Sequence, residues 1–222
     1  MKDLTLTQEY YVCVVNEKGS LPSYENKMAA CLVAAGVLEM QLENCISMED
    51  KKISVCKELP EKLTYLKPLY EVICQEKQPV KASKIVEAYL ISFTDKKLRE
   101  LIESVMNELK AADRLTAVKA GLLGNKEGYA PKKEVIDSVV EKIRAELLEE
   151  GELTDDTVAL TALLERAGCL KKYFSKYEQK ALKTRMKEIS SSEAGASVKE
   201  MSKCVDDLCA AIAATNTVLF HG

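Results

Sequence analysis

The longest uninterrupted apolar run of this 222-residue sequence is Met28–Leu38. A membrane-spanning helix needs roughly 20 predominantly apolar residues, so this run is too short to cross a bilayer. It is rich in Ala, which has the highest helix propensity, and Ala, Leu and Met recur at helical spacings of three and four residues. The sequence therefore predicts a helix over Lys27–Leu42 and limits any membrane contact to the membrane surface.

Helical spacing of apolar residues recurs along the rest of the chain. The clearest case is Asp95–Ala112, whose apolar stripe consists of Leu98, Leu101, Ile102, Val105 and Leu109. Further helices are predicted over Leu63–Gln75, Ala82–Ser92, Lys132–Glu150, Thr154–Arg166, Glu178–Ile189 and Ser197–Leu219. Pro68 lies inside the first of them, and because proline disrupts a helix interior, we expect a kink or a restart there.

Two shorter stretches, Cys45–Cys56 and Arg114–Tyr129, are predicted to be β-hairpins, because turn residues separate short apolar segments. The sequence allows two secondary structures for Thr5–Val15. The segment begins with a helix-start signal, but its β-branched run fits a strand as well as a helix. The predicted fold is mainly α: a compact single domain over residues 1–222, with about eight helices and two small β-hairpins.

Composition excludes several classes of protein. With 47% apolar residues the chain can bury a core, and its net charge of −3 argues against broad binding to nucleic-acid phosphates. The eight cysteines include no Cys-x-x-Cys pair and His221 is the only histidine, so no metal site is expected. No apolar leader follows Met1, and we therefore expect reduced thiols in a cytoplasmic protein.

No catalytic motif is recognisable in the sequence. General acid–base catalysis most often uses histidine, and the one histidine lies next to the last residue. The acidic residues between Glu146 and Asp156 have the spacing of a solvated helix end rather than of a metal site. We therefore expect no enzyme activity and no cofactor.

Two basic segments are candidate binding sites. Lys96, Lys97 and Arg99 open a predicted helix, where the helix N-terminus and the basic side chains both favour an anion; a solvated helix face is the alternative. The segment Lys171–Lys187 carries seven basic residues and one acid. Such a segment can lie on anionic lipid, bind an acidic partner or face water.

The second predicted hairpin carries the apolar pair Leu122 and Leu123 between two glycines. An apolar pair at the tip of a hairpin can insert into a bilayer or contact a partner protein. It can equally fold back onto the core.

The order and spacing of several motifs resemble the Golgi phosphoprotein 3 family over nearly the whole chain. The opening Leu4–Glu9, followed by an apolar run and Asn16–Gly19, resembles the N-terminal signature of that family. Further matches are Val37–Leu42, the segment Leu98–Thr116 and Asp155–Leu164. A basic N-terminal tail is missing, so the resemblance is to a bacterial-type relative.

The resemblance implies a mostly helical, non-enzymatic, peripheral membrane-surface protein. Eukaryotic members of the family bind phosphatidylinositol 4-phosphate on the Golgi membrane, and a protruding hairpin contributes to membrane contact and oligomerisation. By this resemblance Leu122 and Leu123 are expected to contact a membrane or a second copy of the chain. The expected location is the cytoplasm and the inner face of the membrane.

The lipid pocket of the family uses an aromatic residue and several arginines. The aromatic position corresponds to Tyr24 and one arginine to Arg99, whereas two further arginine positions hold Val33 and Ile102. Because charge-assisted phosphate contacts are the strong ones, this loss predicts weakened phosphoinositide specificity, for which nearby lysines would partly compensate. The predicted head-group site comprises Tyr24, Lys27, Lys96, Lys97 and Arg99.

Two other functions are compatible with the sequence. Asp95–Tyr129 has the outline of a winged helix, in which a helix is followed by a glycine-rich hairpin. Its helix carries Glu100, Glu103 and Glu108, so we expect no nucleic acid as a partner. The remaining alternative is a helical scaffold that binds other proteins.

Overall fold

The structure, a computed structural model, describes residues 3–21, 26–90, 95–121, 125–149 and 151–191, together with Lys203 and Asp206. Within these residues the chain forms eight α-helices, two 3₁₀ helices and two small antiparallel sheets. The predicted mainly α fold is thereby confirmed. The α-helices are α1 (Leu6–Val14), α2 (Asn26–Leu42), α3 (Lys67–Gln75), α4 (Ala82–Leu90), α5 (Lys96–Ala111), α6 (Lys133–Leu147), α7 (Asp155–Arg166) and α8 (Lys176–Ser191).

The ambiguous segment Thr5–Val15 is a helix. Thr5 precedes α1 in an extended conformation, and its backbone N–H donates to Gln8 Oε1 at 3.3 Å, as in a capping box. All nine residues of α1 are buried, and the helix packs against α2, α5, α6 and α7. Tertiary packing therefore decides between the two structures that the β-branched run allows.

A buried carboxylate of α2 holds the N-terminus of α1. Glu39 is 4% exposed. Its Oε2 accepts the backbone N–H of Thr7 at 2.7 Å, and its Oε1 accepts the hydroxyl of Tyr65 at 2.6 Å. The Tyr65 hydroxyl also lies 2.5 Å from Thr5 Oγ1. Because the first N–H groups of a helix have no partner within the helix, Glu39 acts as a cap that α2 supplies to α1.

The helix that contains Pro68 restarts there, which is one of the two outcomes expected from the sequence. A 3₁₀ helix, Glu61–Leu66, precedes α3, and Pro68 lies in the first turn of α3. A proline is tolerated at that point because the missing N–H would have no partner there. Relative to the predicted start at Leu63, the 3₁₀ helix begins two residues earlier, at Glu61, and the α-helix four residues later, at Lys67.

The first predicted hairpin forms from β1 (Ile46–Glu49) and β2 (Lys52–Val55). Its turn residues Asp50 and Lys51 both have positive φ, 47° and 62°, which matches the twist of a two-residue hairpin. A two-residue strand, β3 (Val80–Lys81), extends this sheet beside β2. The sequence did not predict β3, because two residues carry no alternating pattern.

The second predicted hairpin forms from β4 (Leu115–Ala120) and β5 (Lys126–Pro131). It joins α5 to α6. Its strands run beyond the core, so most residues between Thr116 and Glu127 that the structure describes are exposed. The tip pair Leu122 and Leu123 lies outside the described residues.

Helix ends account for the other differences from the sequence-based expectations. The helix α8 begins at Lys176 rather than Glu178 and ends at Ser191 rather than Ile189. The predicted last helix, Ser197–Leu219, lies outside the described residues except for Lys203 and Asp206. No helix in the described part of the chain is long and apolar enough to span a bilayer.

The Glu39 cap predicts a large loss of stability when the carboxylate is removed. Glu39→Ala leaves the N–H of Thr7 and the hydroxyl of Tyr65 buried without their acceptor, so we expect the free energy of unfolding to fall by about 3 kcal/mol. Urea unfolding followed by circular dichroism measures this change. Glu39→Gln, which keeps one acceptor oxygen, is expected to lose less.

The matched control is Glu87→Ala, which removes an exposed glutamate from α4. It is expected to change the free energy of unfolding by no more than about 0.5 kcal/mol. Equal small losses for Glu39→Ala and Glu87→Ala would show that the buried carboxylate does not hold α1.

Candidate lipid-head-group site

Three of the predicted site residues lie together at the start of α5. Asp95 precedes the helix and its side chain caps no N–H group, and the first turn contains no acid. Lys96 Nζ lies 3.8 Å from the Glu100 carboxylate, while Lys97 and Arg99 form no ion pair with any described residue. We call Lys96, Lys97 and Arg99 the α5 cationic turn. Their charges add to the positive end of the helix dipole, an arrangement that attracts anions.

The three cations of the α5 cationic turn do not converge on one pocket. Successive residues are separated by about 100° around a helix axis, so Arg99 and Lys97 lie about 200° apart. Lys97 is half-buried and lines a groove of about 620 Å³ against α3, together with Glu71 and Asn107. Lys96 and Arg99 are exposed. The turn therefore presents charge to a surface rather than enclosing a single ligand.

The two positions that lack a family arginine are apolar parts of the structure. Val33 is 0% exposed in the middle of α2. Ile102 is half-buried on α5 and packs against the core, one turn after Arg99. A charged group at position 33 of this chain would have to be buried, which is costly without a paired charge.

The remaining predicted residues are distributed over other segments. Lys27 is exposed in the first turn of α2, which also contains no acid, and Lys27 forms no ion pair with any described residue. Tyr24, Leu122 and Leu123 lie outside the described residues, so their roles stay predictions.

The base of the second hairpin packs directly on the turn that follows α1. Gly19 has a φ of 71°, and a Cβ atom there would lie 2.1 Å from the carbonyl oxygen of Tyr129. A Cβ atom on Gly128 would lie 2.6 Å from the carbonyl oxygen of Lys18. Lys110 Nζ lies 3.8 Å from the centroid of the Tyr129 ring. Two glycines thus allow backbone contact between β5 and a turn that leads, in sequence, towards Tyr24.

An ion pair between a buried glutamate and a half-buried lysine joins α1 to α6. Glu9 is 5% exposed, and Lys142 Nζ of α6 lies 3.0 Å from its Oε1. Burial raises the pKa of Glu9 to about 7, although Lys142 opposes the shift and the neighbouring acids Asp156 and Glu146 add to it. Burial also raises the pKa of Asp156, at the start of α7.

Neither a metal site nor a redox pair is evident in the described part of the chain. No group of three or more His, Cys, Asp or Glu residues in the described ranges is placed to hold a metal ion. No disulfide links the cysteines in the described ranges, namely Cys13, Cys31, Cys45, Cys56, Cys74 and Cys169. Burial raises the pKa of the Cys13 thiol well above its ordinary value, so this thiol stays protonated and unreactive.

Sequence reasoning missed the two buried carboxylates. Glu9 and Glu39 each adjoin an apolar run, where an acid is unusual. An acid next to an apolar run is the one sequence signal that could have shown that these two side chains are buried and paired inside the protein. Their hydrogen-bond and ion-pair partners come from distant segments, so no local pattern indicated which groups they meet.

The fold and these surfaces define a mainly helical protein with exposed basic helix starts and a projecting hairpin. The chain belongs to the Golgi phosphoprotein 3 family (GPP34), whose family model matches residues 6–205. The resemblance recognised in the sequence is therefore confirmed over nearly the whole chain. Comparison with curated proteins finds no match.

The buried Glu9 predicts a pH-dependent stability. Its pKa in the folded protein, about 7, lies above the ordinary value of 4.5. The contribution of Glu9 to the free energy of unfolding is therefore complete below pH 4.5. It is lost as the pH rises to about 7, because the folded state must then give up a proton from a buried group. The loss amounts to about 3 kcal/mol. Glu9→Gln, which cannot ionise, is expected to lose this part of the pH dependence.

Unfolding by urea across the range from mildly acidic to mildly basic pH measures the difference between wild type and Glu9→Gln. The control is Glu134→Gln, which replaces an exposed glutamate of α6 and is expected to keep the wild-type profile. A Glu9→Gln profile parallel to that of wild type would contradict the raised pKa.

Proposed function

We propose that this protein is a non-enzymatic, peripheral membrane-surface protein that binds anionic lipid head groups through the α5 cationic turn. One observation carries the proposal: the first turn of α5 holds three cations and no acid, in a chain with a net charge of −3. Such a local concentration of positive charge at a helix N-terminus favours phosphate. Membership of the Golgi phosphoprotein 3 family supports the same function.

The proposed site recognises head-group charge with limited selectivity for phosphoinositides. Its cations point to different sides of α5, and the apolar Val33 and Ile102 occupy two positions where the resemblance places arginines. Tyr24 and Lys27 belong to the proposed site by that resemblance. The proposed location is the cytoplasmic face of a membrane, and Leu122 and Leu123 at the hairpin tip are proposed to contact the bilayer or a second copy of the chain.

A nucleic-acid-binding function is less well supported. The winged-helix outline that suggested this function is present, because α5 is followed directly by the β4–β5 hairpin. However, Glu100, Glu103 and Glu108 are exposed on α5, where they would repel the phosphate backbone of a duplex. A duplex would have to lie along the helix and meet these acids, whereas lipid head groups need only reach its first turn, which holds no acid. We therefore favour a lipid surface as the partner of this helix.

Liposome co-sedimentation tests the proposed function. Wild type is expected to bind vesicles that contain phosphatidylglycerol or phosphatidylinositol 4-phosphate and not vesicles of phosphatidylcholine alone. A basic residue near an anionic membrane contributes about 1 kcal/mol, so Lys96→Glu/Lys97→Glu/Arg99→Glu should lower the partition coefficient by about 100-fold. Raising the salt concentration should weaken wild-type binding.

The matched control is Lys57→Glu/Lys77→Glu/Lys81→Glu, which makes the same change of net charge at exposed lysines elsewhere. It is expected to bind more tightly than the α5 variant. Equal, negligible binding of wild type to all three kinds of vesicle would overturn the lipid function. Equal losses in the two triple variants would instead leave lipid binding in place and remove the α5 cationic turn as its site.

A further inference from the structure

A second basic surface lies on α8, in a part of the sequence that the proposed head-group site does not use. Four lysines recur there at spacings of four, three and four residues, and all four are exposed. Residues at such spacings share one face of a helix. We call them the α8 lysine stripe: Lys176, Lys180, Lys183 and Lys187. Lys183 also pairs with Glu165, 2.9 Å away.

The acid that lies within the first turn of α8 is engaged by other parts of the protein. Glu178 Oε1 accepts from Arg144 Nε at 2.9 Å, and its Oε2 accepts from the backbone N–H of Ser175 at 2.7 Å. These bonds, the one from Ser175 first, lower the pKa of Glu178 to about 2. Glu178 therefore stays ionised and is already paired, so it does little to neutralise the lysines.

An aromatic side chain borders the stripe. Tyr177 is 82% exposed, and it is the large hydrophobic residue that stands out as exposed among the described residues. Another face of α8 packs on the core through the buried Leu182. The exposure of Tyr177 is therefore not a consequence of a poorly packed helix, because α8 has a well-buried face and Tyr177 lies outside it.

A groove beside the stripe adds an apolar floor and a further cation. It has a volume of about 410 Å³ and lies between the end of α6 and α8, with Leu148 and Ala181 as apolar lining and Tyr177 and Lys180 on its walls. Arg185 also lines it; its Nη1 lies 3.9 Å from the carboxylate of Glu188, which shares the lining, while its buried Nε has no hydrogen-bond partner. Guanidinium N–H groups are well suited to phosphate oxygens.

We propose that the α8 lysine stripe and Tyr177 form a second docking surface, which lies on an anionic phospholipid membrane. The lysines supply charge complementary to the head groups, and tyrosine is enriched where one end of a side chain is apolar and the other is wet, as at a membrane interface. Lysine stems can cover apolar surface while their amines stay in water. This inference rests on the proposed membrane function, but it assigns the contact to a different helix.

The absence of tryptophan from the chain allows a direct test. Tyr177→Trp introduces a single indole, which we call the α8 indole probe, at a position exposed enough to accept it, and circular dichroism verifies the fold. With phosphatidylglycerol vesicles we expect a blue shift of the probe's emission and quenching by brominated lipid. Lys77→Trp, at an exposed position away from α8, is the control and should show neither effect.

Combining this probe with co-sedimentation separates the two proposals. If the protein sediments with vesicles and the emission of the α8 indole probe does not change, the α8 surface is overturned and the proposed function stands. If the probe responds but the α5 triple variant binds like wild type, the α8 surface stands and the α5 site is overturned. If nothing sediments and the probe does not respond, both are overturned.

Charge reversal on the stripe gives the second readout. Lys176→Glu/Lys180→Glu is expected to lower the partition coefficient by at least about tenfold, whereas Lys77→Glu/Lys81→Glu should have a smaller effect. A response of the α8 indole probe to polyglutamate or duplex DNA that vesicles do not produce would overturn the membrane as the occupant of this surface.

Discussion

The hydrogen bonds that Glu39 makes to the start of α1 are the interaction on which the other packing of this protein depends. They place a carboxylate of α2 at the backbone N–H of Thr7, in the first turn of a helix whose nine residues are all buried. A buried helix end without partners would be costly, so the carboxylate is what allows α1 to lie inside the protein. The helix then contacts α2, α5, α6 and α7, and α5 carries the basic turn proposed to meet lipid.

Most of the fold could be predicted from local patterns, whereas the internal polar contacts could not. The periodicity of α2 and α5 and the turn residues of both hairpins were sufficient to identify these elements. The conformation of Thr5–Val15 depended on burial by four other helices, which no window of sequence contains. For the same reason Glu9 and Glu39 were recognisable at most as unusual acids, since Lys142 and Tyr65 lie far away along the chain.

Acidic and basic residues are used differently in this structure: several acids bind other parts of the protein, whereas two groups of basic residues lie on its surface. Glu9 meets Lys142 and Glu39 meets α1, both as buried carboxylates, and the half-buried Glu178 meets Arg144. The basic residues of the α5 cationic turn and the α8 lysine stripe face outward, apart from the half-buried Lys97. The net charge of −3 therefore understates how basic these two surfaces are. The basic spacing was visible in the sequence, but the internal engagement of the acids was not.

The measurement that tests the central claim most directly is an NMR titration of the isotope-labelled protein with a soluble, short-chain phosphatidylglycerol below its micelle concentration. Individual head groups then reach the protein without a membrane surface. The account predicts saturable shifts of the backbone amides of Lys96, Lys97 and Arg99, which weaken as salt is added. Shifts confined to other parts of the chain, or none at any concentration, would contradict it.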